Sequence, residues 1–212
     1  MKVTANILIF VLIIGLYACN STTPGEKHDV NNTVMVGSGP IKKKKNDKTN
    51  KQDRRKDCTR GQAEPIIKKK VYPNTTFVLQ PDSISAIETV NFNNGDKLII
   101  SNCGCESYVL IFRFETSRFK QDTTNLDYWF RSADLLVREM LGGIDSPIPL
   151  EKGLNKLIDH VNNDRPNKYK NLKLGEQIDI EGDESTTVSV YRIEKLKNEK
   201  YAVEIIFGIG PL

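Results

Sequence analysis

Residues 107–116 alternate without a break between two kinds of position. Tyr108, Leu110, Phe112 and Phe114 fall on one side; Val109, Ile111, Arg113 and Glu115 fall on the other. Successive side chains of an extended strand point to opposite faces, so this run buries one face fully only as a strand. A helix would scatter the same apolar residues around its circumference. The second face passes from apolar to charged, which predicts that only half of it is covered. Any fold of this chain must be built around that strand.

Its neighbours follow the same rule. Residues 86–92 and 97–102 read as strands joined by Asn93-Asn94-Gly95-Asp96, residue types that tolerate the positive φ of a tight hairpin. Pro81-Asp82-Ser83 reads as a turn, with Val78, Ile84 and Ile87 among turn residues. The period then changes. Leu126, Trp129, Phe130, Ala133, Leu136, Val137, Met140 and Leu141 recur at helical spacing, with Thr124 and Asp127 as a capping pair and Gly142-Gly143 as the stop. Leu150, Leu154, Leu157, Ile158 and Val161 form a second apolar stripe between Pro149 and Pro166. Period two returns over 177–181, 186–196 and 201–207, with a turn at Lys197-Asn198-Glu199-Lys200. Strands, two helices, then strands predict an α+β domain: a mostly antiparallel sheet with two consecutive helices packed on one face.

Charge divides the chain. Residues 19–70 carry 14 Lys+Arg against 6 Asp+Glu, a net of +8, and residues 71–212 carry 16 against 21, a net of −5. The basic stretch includes Lys42-Lys43-Lys44-Lys45, Arg54-Arg55-Lys56 and Lys68-Lys69-Lys70 and has few large apolar residues. Such a segment buries too little surface to offset the entropy of ordering. It is expected to be a disordered tether over 19–70, ahead of a single domain over 71–212. It acts either as a spacer or as a contact with an anionic envelope surface. No aromatic residue interleaves the lysines to stack bases, which argues against nucleic acid.

The first residues are apolar in a different way. Lys2 precedes a nearly continuous apolar run, residues 7–16, too short to span a bilayer, which needs about 20 residues. Leu16-Tyr17-Ala18-Cys19 at its end resembles the lipobox of bacterial lipoproteins. The resemblance implies removal of residues 1–18 as a signal peptide, acylation of Cys19 and attachment to a membrane through lipid. Asn20 after the cysteine resembles the pattern of outer-membrane lipoproteins. Asp82-Ser83-Ile84 and Asp122-Thr123-Thr124 resemble the short acceptor tripeptide for O-glycosylation in the phylum Bacteroidota.

With Cys19 acylated, Cys58, Cys103 and Cys105 remain, an odd count that leaves one thiol over in an oxidising compartment. Cys103-Gly104-Cys105 could chelate a metal or form a redox pair. Yet a closed zinc site needs about four ligands. A redox pair is expected as Cys-x-x-Cys at a helix start, where the dipole lowers the thiol pKa. A structural bridge from Cys58 to one of the two is the favoured reading. His160 is read as a helix-surface residue, leaving little support for Ser-His or Cys-His chemistry. No metalloprotease, phosphate-loop or nucleotide-binding motif is present, and no cofactor or metal is implied. Arg113 shares a strand face with Glu115 and is expected to form a structural ion pair with it. Trp129 and Phe130 lie on the helix stripe and are read as core, with Tyr128 off it.

These features favour a lipid-anchored outer-membrane protein whose domain is a non-catalytic binding module for a protein or glycan partner. The rivals are an envelope thiol-redox protein or other enzyme, and an inhibitor or immunity protein.

Overall fold

The computed structural model describes residues 58–163, 172–182 and 185–210. The expected signal peptide, Cys19, the part of the expected tether up to residue 57 and Pro166 lie outside the described residues. The fold is α+β: a seven-stranded antiparallel sheet and two helices. In chain order the elements are β1 (Thr75–Leu79), β2 (Ala86–Asn91), β3 (Lys97–Cys103), β4 (Tyr108–Thr116), α1 (Leu126–Arg138), α2 (Leu150–Asn163), β5 (Ile178–Asp179), β6 (Thr186–Lys195) and β7 (Tyr201–Ile209). The spatial order is β1-β2-β3-β4-β7-β6-β5, so the strongly alternating β4 is the middle strand.

Alternation decides what each strand buries. Leu110, Phe112 and Phe114 on β4 align with Phe207, Ile205 and Val203 on β7, and all six are almost fully buried. The residues between them, Val109, Ile111, Arg113 and Glu115, are half-buried, as the sequence predicts. One continuous core cluster holds Leu98, Ile100, Phe112 and Phe207 of the sheet together with Trp129, Phe130 and Val137 of α1 and Leu154, Leu157 and Val161 of α2. Trp129 and Phe130 are core residues, and the Trp129 indole nitrogen donates to the Asp122 carbonyl at 2.9 Å.

Turn chemistry fixes the hairpins. Phe92 N–H donates to Asp96 at 3.0 Å, Gly95 has φ 84, and the Asn94 side chain accepts from Asp96 N–H at 3.0 Å. At the β6–β7 turn Asn198 and Glu199 take φ 59 and 57, consecutive left-handed residues that match the twist of the flanking strands. β5 pairs with β6 only at Thr187 and Val188, and past it β6 carries a bulge between Val190 and Arg192 and exposed Arg192 and Lys195, devices that discourage edge-to-edge pairing.

Several expectations need correction. β1 was not foreseen: Val78 belongs to a strand paired with Ile87, not to a turn. The cap of α1 is Asn125, whose side chain accepts from Tyr128 N–H, rather than a Thr124–Asp127 pair. Asp122 instead occupies the Thr124 backbone and hydroxyl. The domain begins earlier than residue 71. Ala63, Ile66 and Ile67 are buried, and Ile67 forms an isolated bridge with Ile144. Two adjacent isoleucines give this part of the basic stretch enough apolar surface to dock, which a charge count conceals.

Candidate functional site

The segment 58–72 is held by polar groups that the sheet buries. Cys58 is bonded to Cys105, with Cα atoms 4.9 Å apart and a sequence separation of 47. Beside the bridge, Arg60 N–H donates to the Cys105 carbonyl at 3.2 Å, and the guanidinium bonds Asn102 Oδ1 and sits 4.2 Å from the centre of the Tyr108 ring. Burial lowers the Arg60 pKa and raises that of Tyr108, while the attraction between the two opposes both shifts. Asn102 returns a bond to the Glu64 carbonyl at 3.5 Å. Further along, Glu88 accepts the Ile66 and Ile67 amides at 2.8 and 3.1 Å. Glu88 is 1% exposed, and burial pushes its pKa above the ordinary carboxylate range despite those two bonds. Asn102 and Glu88 use their side chains to hold backbone, which is a structural task.

The cysteine arrangement separates two of the sequence readings. Cys105 is joined to Cys58 and not to Cys103, so the Cys103-Gly104-Cys105 redox pair does not form. The expected leftover thiol is not found, since no described cysteine is free. Among the described residues no group of three or more His, Cys, Asp or Glu could hold a metal ion.

On the half-buried face, Arg113 bonds Glu115 at 3.2 Å, Glu204 at 2.5 Å and reaches Glu194 at 3.7 Å. The pair with Glu115 is therefore part of a larger network, and its carboxylates raise the Arg113 pKa against the cost of burial. β7 explains the larger set: its register places Glu204 directly opposite Arg113. His160 is half-buried, with Nε2 3.6 Å from Glu176 Oε2.

The most site-like feature is a cleft of about 170 Å³ where the β2–β3 hairpin, the end of β4 and the last turn of α1 meet. Tyr72 and Phe92 form one wall, edge to face with centroids 6.0 Å apart. Phe114, Leu136 and Met140 form the apolar lining. At the rim Arg118 meets Glu139 in a two-pronged pair at 2.7 and 3.0 Å, which raises the Arg118 pKa. Tyr72 donates its hydroxyl to the Glu139 carbonyl at 3.0 Å, and burial raises its pKa. Inside, Asp96 accepts Thr116 Oγ1 at 2.9 Å and Asn94 Nδ2 at 3.1 Å. A hydroxyl this close to a carboxylate has the spacing of a nucleophile and its base. Thr116 is 1% exposed, however, so no substrate reaches it. The cleft thus combines an apolar floor with a rim of hydrogen-bonding groups.

A larger groove of about 530 Å³ runs past Ile144, Ile148 and Leu150 at the start of α2, but it is more open and has fewer converging polar groups.

Sequence reasoning did not reach this cleft. Tyr72, Phe92, Asp96, Arg118 and Glu139 come from four separate segments, and no local pattern joins them. Glu88 did leave a signal. It occupies an inward position between Ala86 and Val90, where an acid must find partners.

No protein-family model matches the chain, and neither a curated protein nor a solved structure is similar to it.

Proposed function

We propose that this chain is a lipid-anchored bacterial outer-membrane protein whose α+β domain is a non-catalytic binding module. The leader ending in Leu16-Tyr17-Ala18-Cys19 supports the anchor. The observation that carries the binding reading is the Arg118–Glu139 pair standing over an aromatic and aliphatic cleft. A guanidinium held in a fork presents fixed donors, and the Tyr72–Phe92 wall supplies a flat apolar surface. In this reading both helices pack on the same sheet face. Phe207 meets α2 at Gly153, and Tyr201, which shares its strand parity, meets Trp129 of α1 at 4.9 Å. That leaves the hairpin end of the sheet free to form the cleft.

Two measurements test this. Cys19→Ala should move the chain from the membrane fraction to unprocessed or soluble forms. An unchanged membrane fraction at the usual mature mass would remove the lipoprotein reading. Separately, saturation-transfer NMR against a panel of monosaccharides, amino acids and short peptides should find at least one compound whose signal falls in Phe92→Ala and Arg118→Ala. If no compound shows that dependence, the cleft is not a binding site.

A further inference from the structure

The tripeptides Asp82-Ser83-Ile84 and Asp122-Thr123-Thr124 belong neither to the core nor to the cleft, yet they share one geometry. The first lies in the β1–β2 connection and the second between β4 and α1. In each, the aspartate side chain turns back onto the amide two residues ahead: Asp82 Oδ1 accepts Ile84 N–H at 3.1 Å, and Asp122 Oδ1 accepts Thr124 N–H at 2.9 Å. A second bond completes each turn, from Ser85 N–H at 2.9 Å in one and from the Thr124 hydroxyl at 2.7 Å in the other. Both aspartates are exposed and both middle residues are half-exposed. Among the described residues neither the Ser83 nor the Thr123 hydroxyl has a hydrogen-bond partner.

A free hydroxyl in such a turn is not the default. Serine and threonine in loops commonly use their oxygen on nearby backbone. The chain holds its own contrast. Ser146, in Asp145-Ser146-Pro147, accepts Ile148 N–H at 3.1 Å, so its hydroxyl is engaged. Ser83 also takes φ 65, a left-handed conformation that is unfavourable for a residue with a side chain and that glycine would adopt without strain. Serine therefore stands at a strained position, where its hydroxyl makes no contact that would repay it within the fold.

We propose that Ser83 and Thr123 are O-glycosylation acceptors. The aspartate holds the turn rigid and presents the hydroxyl to a transferring enzyme. The donor is a sugar activated through a diphosphate on its anomeric carbon. The hydroxyl oxygen attacks that carbon, a glycosidic C–O bond forms, and the anomeric C–O bond to the diphosphate breaks. The bonding pair leaves with the diphosphate, and the hydroxyl proton passes to a base of the transferring enzyme. Nothing is oxidised or reduced.

Peptide mass mapping of the full chain decides this, comparing protein from its native cells with protein from a host without O-glycosylation. Sugar-mass increments on the peptides holding Ser83 and Thr123, lost in Ser83→Ala and Thr123→Ala respectively, support the assignment. Asp82→Asn and Asp122→Asn keep the hydroxyl and should cut occupancy severalfold; thermal melts confirm that each variant is folded. Bare peptides at both sites in the native protein overturn the proposal, as does sugar on Ser146 with Ser83 and Thr123 unmodified. Sugar on one site alone overturns the assignment of the other. The mapping reads sugar and lipid on separate peptides, so a failed lipid anchor is distinguishable from a failed glycan site.

Discussion

Glu88 Oε1 lies 2.8 Å from the Ile66 amide, 22 residues earlier in the chain, and its second oxygen takes the Ile67 amide at 3.1 Å. One carboxylate thus satisfies two consecutive backbone donors that the docked segment carries into the interior. Ile66 and Ile67 are both 5% exposed, so water is a poor substitute. Glu88→Ala should therefore destabilise the domain by about 2–4 kcal/mol, since each unsatisfied buried donor costs about 1–3 kcal/mol. Urea unfolding measures it. A loss below half a kcal/mol would mean that the segment detaches without consequence.

The same group predicts a pH dependence. Burial raises the Glu88 pKa in the folded chain, so the folded state binds the proton more tightly than the unfolded state. Its contribution is fully present below the unfolded pKa and is lost as pH rises through the folded value. The stability of the parent minus that of Glu88→Gln should accordingly increase as pH falls from neutral into the acid range. A difference that is flat, or that grows with pH, contradicts the assignment.

The Cys58–Cys105 bridge closes a loop with a sequence separation of 47. Chain entropy assigns such a loop about 4 kcal/mol. Cys58→Ser should lower the unfolding free energy by about 2–4 kcal/mol in denaturant titrations, with the native circular dichroism spectrum retained. An unchanged midpoint would show that the unfolded state is already restricted.

How far these features were legible depends on whether their cause is local. The middle strand, both helices and two hairpins follow from residues a few positions apart. Tyr108–Thr116 sits where its period places it, whereas α1 starts with its stripe at Leu126 but ends at Arg138, short of the expected Gly142-Gly143 stop, and Leu141–Gly143 forms a separate tight turn. β1 escaped because Thr75–Leu79 is short and carries only two inward half-buried residues, Phe77 and Leu79, besides Thr75. The docking of Ile66 and Ile67 escaped because three lysines follow directly and dominate the composition. Arg113 with Glu115 was visible on one strand, whereas Glu204 and Glu194 join only when β7 and β6 are placed. The cleft depends on four segments meeting, and single-sequence periodicity has no access to that.

Arg113 neutralises a face where Glu115, Glu194 and Glu204 converge. Arg113→Met should cost about 1–2 kcal/mol, above the usual value for fully exposed pairs, because Glu204 is only 14% exposed. Part of that loss comes from repulsion among the carboxylates, which salt screens. Raising sodium chloride to about 1 M, where the screening length is about 3 Å, should recover some of it. A loss insensitive to salt would assign the effect to packing of the arginine stem.

Gly143 supports the cleft from behind. A β-carbon there would lie 2.1 Å from Tyr72 Cε2 and 2.6 Å from Cδ2, distances no side chain tolerates. The ring cannot simply swing away, because its hydroxyl is bonded to Glu139 at 3.0 Å and its edge meets Phe92 at a centroid distance of 6.0 Å. Gly143→Ala should therefore displace Tyr72, break that bond and cost about 1–3 kcal/mol, the usual range for overpacking. The altered wall should also weaken any ligand the cleft takes. A double-mutant cycle separates this from a backbone effect at Gly143 itself. In a Tyr72→Ala background the clash with the ring is gone, leaving Val71 Cγ1 at 3.1 Å as the nearest remaining contact. Gly143→Ala should then be close to neutral. If it costs as much without Tyr72 as with it, the glycine is required by its own backbone and the aromatic wall is not what it protects.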